Sequence, residues 1–176
     1  MEKVLKEFLV RFGSLSQGRH TFEFEVTDKF FACFEFSEVE KGNINVAVEL
    51  EKQSTMLIFH FNFTGKLQLN CDRCAGEYLQ DIDVTERLIV KFGNEVYDIS
   101  DEIMIIPHGE YELNVSKWVY EFLTLNIPHQ RLHPEGECDE DVLDFIEEGE
   151  FPDEDQDIEE PIDPRWEALQ QLKNKK

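Results

Sequence analysis

The chain has 176 residues, 41% of them hydrophobic and 15 of them phenylalanine, which is enough for one domain with a packed core. A formal net charge of -22 argues against a surface built mainly to neutralise phosphate, because such a surface needs lysine and arginine gathered in a stripe. The acidity is local: residues 135–160 hold 15 of the 39 acidic side chains and no lysine or arginine, which leaves 24 acids against 17 bases elsewhere.

Met1 to Phe12 mixes Glu2 and Glu7 with Lys3, Lys6 and Arg11, and has neither the apolar run nor the small-residue cleavage site of an export signal. No window reaches the apolar length of a membrane span, so no membrane is expected as a partner. The expected location is cytoplasmic, where the four cysteines stay reduced as metal ligands, reactive thiols or small buried hydrophobes.

Phe8, Val10 and Phe12 alternate before the turn-rich Gly13-Ser-Leu-Ser-Gln-Gly18, and Phe22, Phe24 and Val26 alternate after it, which predicts two short strands. Asp28 is placed to cap a helical turn through Lys29 to Phe34, although a continued strand also fits. Cys33, between aromatics, reads as a buried apolar residue. From Lys41 onward Ile44, Val46, Val48 and Leu50 predict a strand, and Leu57, Phe59, Phe61, Phe63, Leu67 and Leu69 a longer one. Tyr78, Ile82, Val84, Leu88, Val90 and Phe92 predict a third, with Gln80 and Glu86 breaking its pattern. Gly65 marks an expected bulge or sharp twist, and the short connections imply an antiparallel meander.

Residues 93–112 are mixed apart from the apolar run Ile103 to Ile106. Asn114 or Ser116 then suits the cap of a helix in which Val115, Trp118, Val119, Phe122 and Leu125 recur at helical spacing, closed by Pro128. From Asp139 a second short helix begins with acids and ends at Gly149. Asp163-Pro164 ahead of Trp166, Leu169 and Leu172 predicts a last amphipathic helix. The expected fold is therefore α+β: an antiparallel meander sheet with one principal amphipathic helix packed on it, an acidic mobile segment and a short C-terminal helix. The boundaries are 1–148 for the domain, 149–161 for the acidic linker and 162–176 for the C-terminal helix.

The chemistry centres on Cys71 and Cys74, two thiols two residues apart in the bend between the long strands. One tight turn can aim both sulfurs at one metal ion, and four-coordinate zinc needs two further ligands. His133 and Cys138 are the candidates, with His129 in reserve. The bland alternative is a reduced, empty CxxC with His133 and Cys138 as loop residues. A thioredoxin-type motif would need a helix after the first cysteine, and the residues from Tyr78 read as strand instead. A nucleophilic cysteine would need a base, for which His60, His108, His129 and His133 are available. No phosphate-binding glycine loop, zinc-protease helix or nucleophile-elbow pattern is present, and no enzyme is expected. The acidic run reads either as a solvated tail or as an attractor for a basic partner. Arg73 at the turn's tip is the one base there to offer RNA, or else a solvated turn residue.

Taken together, Gly65-Lys-Leu-Gln-Leu-Asn-Cys71-Asp-Arg-Cys74, Leu113-Asn-Val-Ser116, Leu125-Asn-Ile-Pro128, His133-Pro134, Cys138 and Asp163-Pro-Arg165 with Leu169 and Leu172 resemble the YceD family of bacterial large ribosomal RNA subunit accumulation proteins. The resemblance implies a non-catalytic cytoplasmic factor in ribosome biogenesis that supports synthesis, processing or stability of the large-subunit ribosomal RNA. It also implies a link to a large-subunit ribosomal protein, whose gene neighbours that of many relatives. With the local charge added, the expected contact is a basic ribosomal protein or pre-ribosomal particle, and contact with the RNA itself is weak or indirect. Some relatives carry a fuller cysteine cluster after the second helix, where this chain keeps His133 and Cys138, which fits a reduced four-ligand zinc site. The alternative from another class is a thiol-dependent redox or nucleophilic enzyme using the Cys71/Cys74 pair.

Overall fold

The computed structural model describes residues 2–93 and 103–148, and the chain forms two compact units, Met1–Cys138 and Asp139–Lys176. The expected linker at 149–161 and helix at 162–176 lie outside the described residues. The first unit is mixed α+β, with a five-stranded, mostly antiparallel sheet at its centre. It opens with α1 (Glu2–Leu5), a 3-10 turn (Lys6–Phe8) and the two-residue β1 (Leu9–Val10). Then come β2 (Gly18–Val26), α2 (Asp28–Phe31), β3 (Lys41–Lys52), β4 (Met56–Asn70) and β5 (Glu77–Phe92). The unit continues through β6 (Ile103–Ile106), β7 (Leu113–Asn114) and α3 (Ser116–Leu125), and the second unit holds α4 (Glu140–Glu148).

The sheet order follows the chain, β2-β3-β4-β5-β6, and the first four strands are antiparallel. The apolar alternation sets the register. Phe24, Val46, Phe63 and Val84 form one row across four strands, and His20, Leu50, Phe59 and Leu88 another. A slip of one residue would carry every one of these side chains to the other face, so a sheet with one buried face tolerates no slip. Only one face is apolar: Val46, Val48, Phe59, Phe61 and Phe63 are buried, while their neighbours Asn45, Ala47, Asn62 and Thr64 are exposed.

Helix α3 covers the middle of that face through Val119, Phe122 and Leu123, with the Phe122 ring edge-on to Phe61 at 5.4 Å and to Phe63 at 6.4 Å. Phe8 stacks on Phe24 and packs on Phe30, so the N-terminal turn and α2 cover the β2 side. Aromatic pairs of this kind add to the stabilisation from their buried area. The two breaks in the β5 pattern find polar partners on the core-facing side: Glu86 accepts a 2.7 Å hydrogen bond from Asn126 just past α3, and Gln80 accepts one from the Tyr78 hydroxyl. Among the described residues no buried side-chain nitrogen or oxygen lacks a partner.

Several sequence expectations change in detail. The strand expected around Phe8 to Phe12 shrinks to β1, which pairs with β7, where Asn114 and Val115 bond back to the carbonyls of Leu5 and Phe8. Ile103 to Ile106 is a strand, and it adds to β5 in parallel, so the sheet departs from a pure meander at that edge. Thr27, not Asp28, precedes α2, and the Asp28 carboxylate accepts instead from the Gly42 amide at 2.9 Å. Val115, not Asn114 or Ser116, is the N-cap of α3, although the Asn114 side chain accepts the Ser116 amide just ahead of it, and Leu125, counted on the apolar face, is exposed at the helix's last turn. Cys33 is half-buried, its thiol turned to the Lys29 carbonyl.

Gly65 makes no bulge. The ladder runs through it unbroken, Ile44 on one side and Ile82 on the other, with φ at +152°. A Cβ there would lie 2.2 Å from the Asn43 carbonyl oxygen, so glycine is required for β3 and β4 to approach at all. Gly65→Ala is therefore expected to destabilise the protein by roughly 2–4 kcal/mol through overpacking and backbone strain, read as a lowered urea midpoint.

Candidate metal centre

Residues 71–76 turn the chain from β4 into β5. The turn is tied by the Cys71 amide donating to the Gly76 carbonyl at 2.8 Å and the Ala75 amide to the Cys71 carbonyl at 2.9 Å. Ala75 takes the left-handed conformation, φ +58°, a costly state for a residue with a Cβ, and the tight turn leaves both thiols on the buried side. The Arg73 amide points at the Cys71 sulfur, 3.4 Å away. Arg73's own side chain extends outward at the tip.

The other half of the site comes from the chain after α3. Asp72 clasps it at three points: its amide donates to the Arg131 carbonyl at 2.6 Å, its carboxylate accepts the Arg131 amide at 2.8 Å, and the same carboxylate pairs with the Arg131 guanidinium at 3.3 Å. Glu38 adds a second carboxylate to that guanidinium at 3.6 Å. Two residues further on, the His133 ring lies against Tyr78 with Nε2 3.3 Å from the Glu77 carbonyl. A proton on Nε2, donated to that carbonyl, leaves the Nδ1 lone pair free to coordinate. Nδ1 lies 3.3 Å from the Cys74 sulfur and 3.8 Å from the Cys138 sulfur, and the Cys71 and Cys138 sulfurs are 3.9 Å apart. Gly76 permits the close approach of the ring, since a Cβ there would stand 3.2 Å from His133 Cε1 and 3.4 Å from the Cys74 sulfur.

The four ligand atoms of Cys71, Cys74, His133 and Cys138 all lie within 4.8 Å of one another, and this is the one such group among the described residues. Tetrahedral zinc with sulfur and imidazole ligands places its donors about 3.5–3.8 Å apart, so the donor set and spacing fit that ion with small adjustments. His129 is exposed and stands apart from the group, His60 lies in the middle of β4, and His108 stacks on Phe92. The clasp by Asp72 and Arg131 and the support from Glu77 and Gly76 were not foreseen. Glycine directly after the cysteine turn was a readable signal, but the Asp72–Arg131 pair, separated by 59 positions, offered none.

The electrostatics follow from crowding three thiols and an imidazole. Burial pushes the Cys71 thiol up, but the amides of Cys74, His133 and Arg73 and the His133 ring outweigh it and bring its pKa down to about 5. His133 is raised, chiefly by its hydrogen bond to Cys71 and despite its burial. Cys138 is raised by burial and by the neighbouring Cys71 and Cys74. Tyr78 is raised by burial and by the nearby charges of Asp72 and Cys71.

The fold and this cluster define a mixed α+β protein with a three-cysteine, one-histidine group at a hairpin turn. Residues 59–173 match the family model described as "Large ribosomal RNA subunit accumulation protein YceD", and the chain belongs to the YceD family. No curated protein and no solved structure matches it. Among the described residues no helix is long and apolar enough to cross a membrane.

Because the folded Cys71 value lies below that of an unfolded cysteine, its contribution to stability is complete above the ordinary thiol range and is lost as pH falls through about 5. The raised His133 acts with the opposite sign: its contribution is complete below the ordinary imidazole value and is lost as pH rises through the folded one. In metal-free protein, the absorbance of the Cys71 thiolate is expected to vanish on acidification with a midpoint near pH 5. It should be missing in Cys71→Ser. A first thiol titration only in the ordinary range for cysteine would contradict this electrostatic arrangement.

Proposed function

We propose that this chain is a non-catalytic cytoplasmic factor in ribosome biogenesis, one that supports synthesis, processing or stability of the large-subunit ribosomal RNA. The observation that carries the reading is membership, across residues 59–173, of the YceD family of large ribosomal RNA subunit accumulation proteins. Deleting the gene is expected to lower large-subunit ribosomal RNA relative to small-subunit RNA and to reduce free large subunits in a sedimentation profile. A deletion strain with an unchanged RNA ratio and a normal profile would sink the role.

In this reading Cys71, Cys74, His133 and Cys138 hold one zinc ion. Four protein ligands leave no position open for a substrate, which suits a structural clasp and not a catalytic centre. When bound, the ion supplies a crosslink between the hairpin turn and the segment that follows α3. Native protein is expected to contain one zinc per chain, and chelation should lower Tm by about 5–10 °C, the scale of a tightly bound ligand in a chain of this size. Cys138→Ser or His133→Ala should abolish most of that difference. A chain that carries no metal when prepared without chelator, and whose stability is unchanged in Cys71→Ser, has no zinc clasp.

Contact with the pre-ribosomal particle is assigned to a basic ribosomal protein, with weak or indirect contact to RNA. Lysine and arginine form no stripe on the sheet's open face, where Lys66 pairs with Asp81 and Arg19 with Glu49. The purified protein is expected to bind naked ribosomal RNA weakly; tight binding that survives removal of residues 135–160 would refute the assignment.

A thiol enzyme is the second reading, and the lowered pKa of Cys71 is the observation in its favour. Two features weigh against it. Cys71 is only 3% exposed, and Cys74, His133 and Cys138 crowd its sulfur where a substrate would have to stand. Zinc that shields Cys71 and Cys74 from alkylation would close that possibility.

A further inference from the structure

Helix α4 carries two faces of different chemistry. At 100° per residue, Val142, Leu143, Phe145 and Ile146 fall on one arc, and Glu140, Asp141 and Asp144 on the opposite one. The apolar arc is not fully covered: Phe145 is 78% exposed and Ile146 50%. A tail kept acidic for solubility accounts for the carboxylates. It does not account for a phenylalanine and an isoleucine held side by side in water, where each forfeits the free energy that burial would return.

We infer that α4 is a docking helix whose apolar arc seats in an apolar groove of a basic protein, with lysine or arginine on the groove's rim facing Asp141 and Asp144. Charge selects this occupant. The helix lies in a stretch with 15 acids and no lysine or arginine, so RNA and an anionic membrane surface are both repelled, and so is a second copy of the same stretch. A basic rim attracts it at long range, and anchors at i, i+3 and i+4 then read the groove, as amphipathic helices do elsewhere. The inference rests on the ribosomal reading above and deepens it: the assigned basic partner is one that offers such a groove.

The test titrates the full-length chain, labelled near α4, with individually purified large-subunit ribosomal proteins. At least one is expected to bind saturably. Phe145→Ala with Ile146→Ala, which keeps the charge and the helix propensity, should weaken that binding about thirtyfold or more, as removal of a hot spot does. Phe145→Leu keeps the arc apolar and should stay within about threefold. Asp141→Asn with Asp144→Asn should mainly slow association and flatten its dependence on salt. Failure of every large-subunit protein to bind, or equal binding by the double alanine variant, overturns the docking helix. A deletion strain separates this result from the reading beneath it. If deletion lowers large-subunit RNA and the double alanine variant restores it in full, docking through α4 is wrong and the biogenesis role stands. If the variant fails to restore it while the protein accumulates normally, docking is supported.

Discussion

The pairing of β4 with β5 is the constraint on which the site depends. Every residue of β4 has a partner on β5, from Met56 opposite Lys91 to Asn70 opposite Glu77. A ladder of that length, with Phe59, Phe61, Phe63 and Leu67 buried along it, cannot shift at its far end without disturbing its whole face. The turn at 71–76 therefore has a fixed position and direction. Cys71 and Cys74 are presented at the end of that long ladder, and Glu77 and Tyr78, the first residues of β5, stand behind His133.

The facing half of the site is built differently. After Ile127 the chain forms no helix or strand until α4, and the stretch His129 to Glu137 is mostly exposed. No buried apolar side chain anchors it among the residues between Leu123 and Cys138. Its positioning rests largely on polar contacts, the three between Asp72 and Arg131, the Glu38–Arg131 pair and the bond from His133 to Glu77, with the His133 ring against Tyr78. Hydrogen bonds and a half-exposed ion pair are individually worth little in water. A metal ion held by Cys71, Cys74, His133 and Cys138 would join the long ladder to a segment that no hydrophobic core holds, which is the physical argument for reading this cluster as structural.

How much of this was readable in the sequence follows from the range of the interactions. Strands β3, β4 and β5 were readable because alternation is a local pattern, and the thiol pair because its spacing is local too. His133 and Cys138 were singled out by residue type rather than by distance, and the fold brings all four together. What stayed hidden depends on partners far away in sequence. Ile103 to Ile106 is a strand only because β5 offers it a parallel edge, and β1 is a strand only because β7 lies beside it. Gly65 follows the same rule: a glycine in a strand is compatible with a bulge, a sharp twist or a close approach, and only the position of the Asn43 carbonyl decides among them.

The separation of charge is the last step. The sheet balances its ions in place, with Lys66 on Asp81, Arg19 on Glu49 and Lys41 on Glu77, each pair largely exposed and screened. Residues 135–160 contain 15 acids and no lysine or arginine of their own. Like charges at that density repel one another, and they lower the stability of any compact arrangement the stretch takes alone. Self-repulsion of this kind is relieved when a cation approaches from outside, which is the physical argument for proposing a basic partner. In that proposal the phenylalanine and isoleucine exposed on α4 would supply what long-range charge cannot, a contact that depends on shape and survives salt.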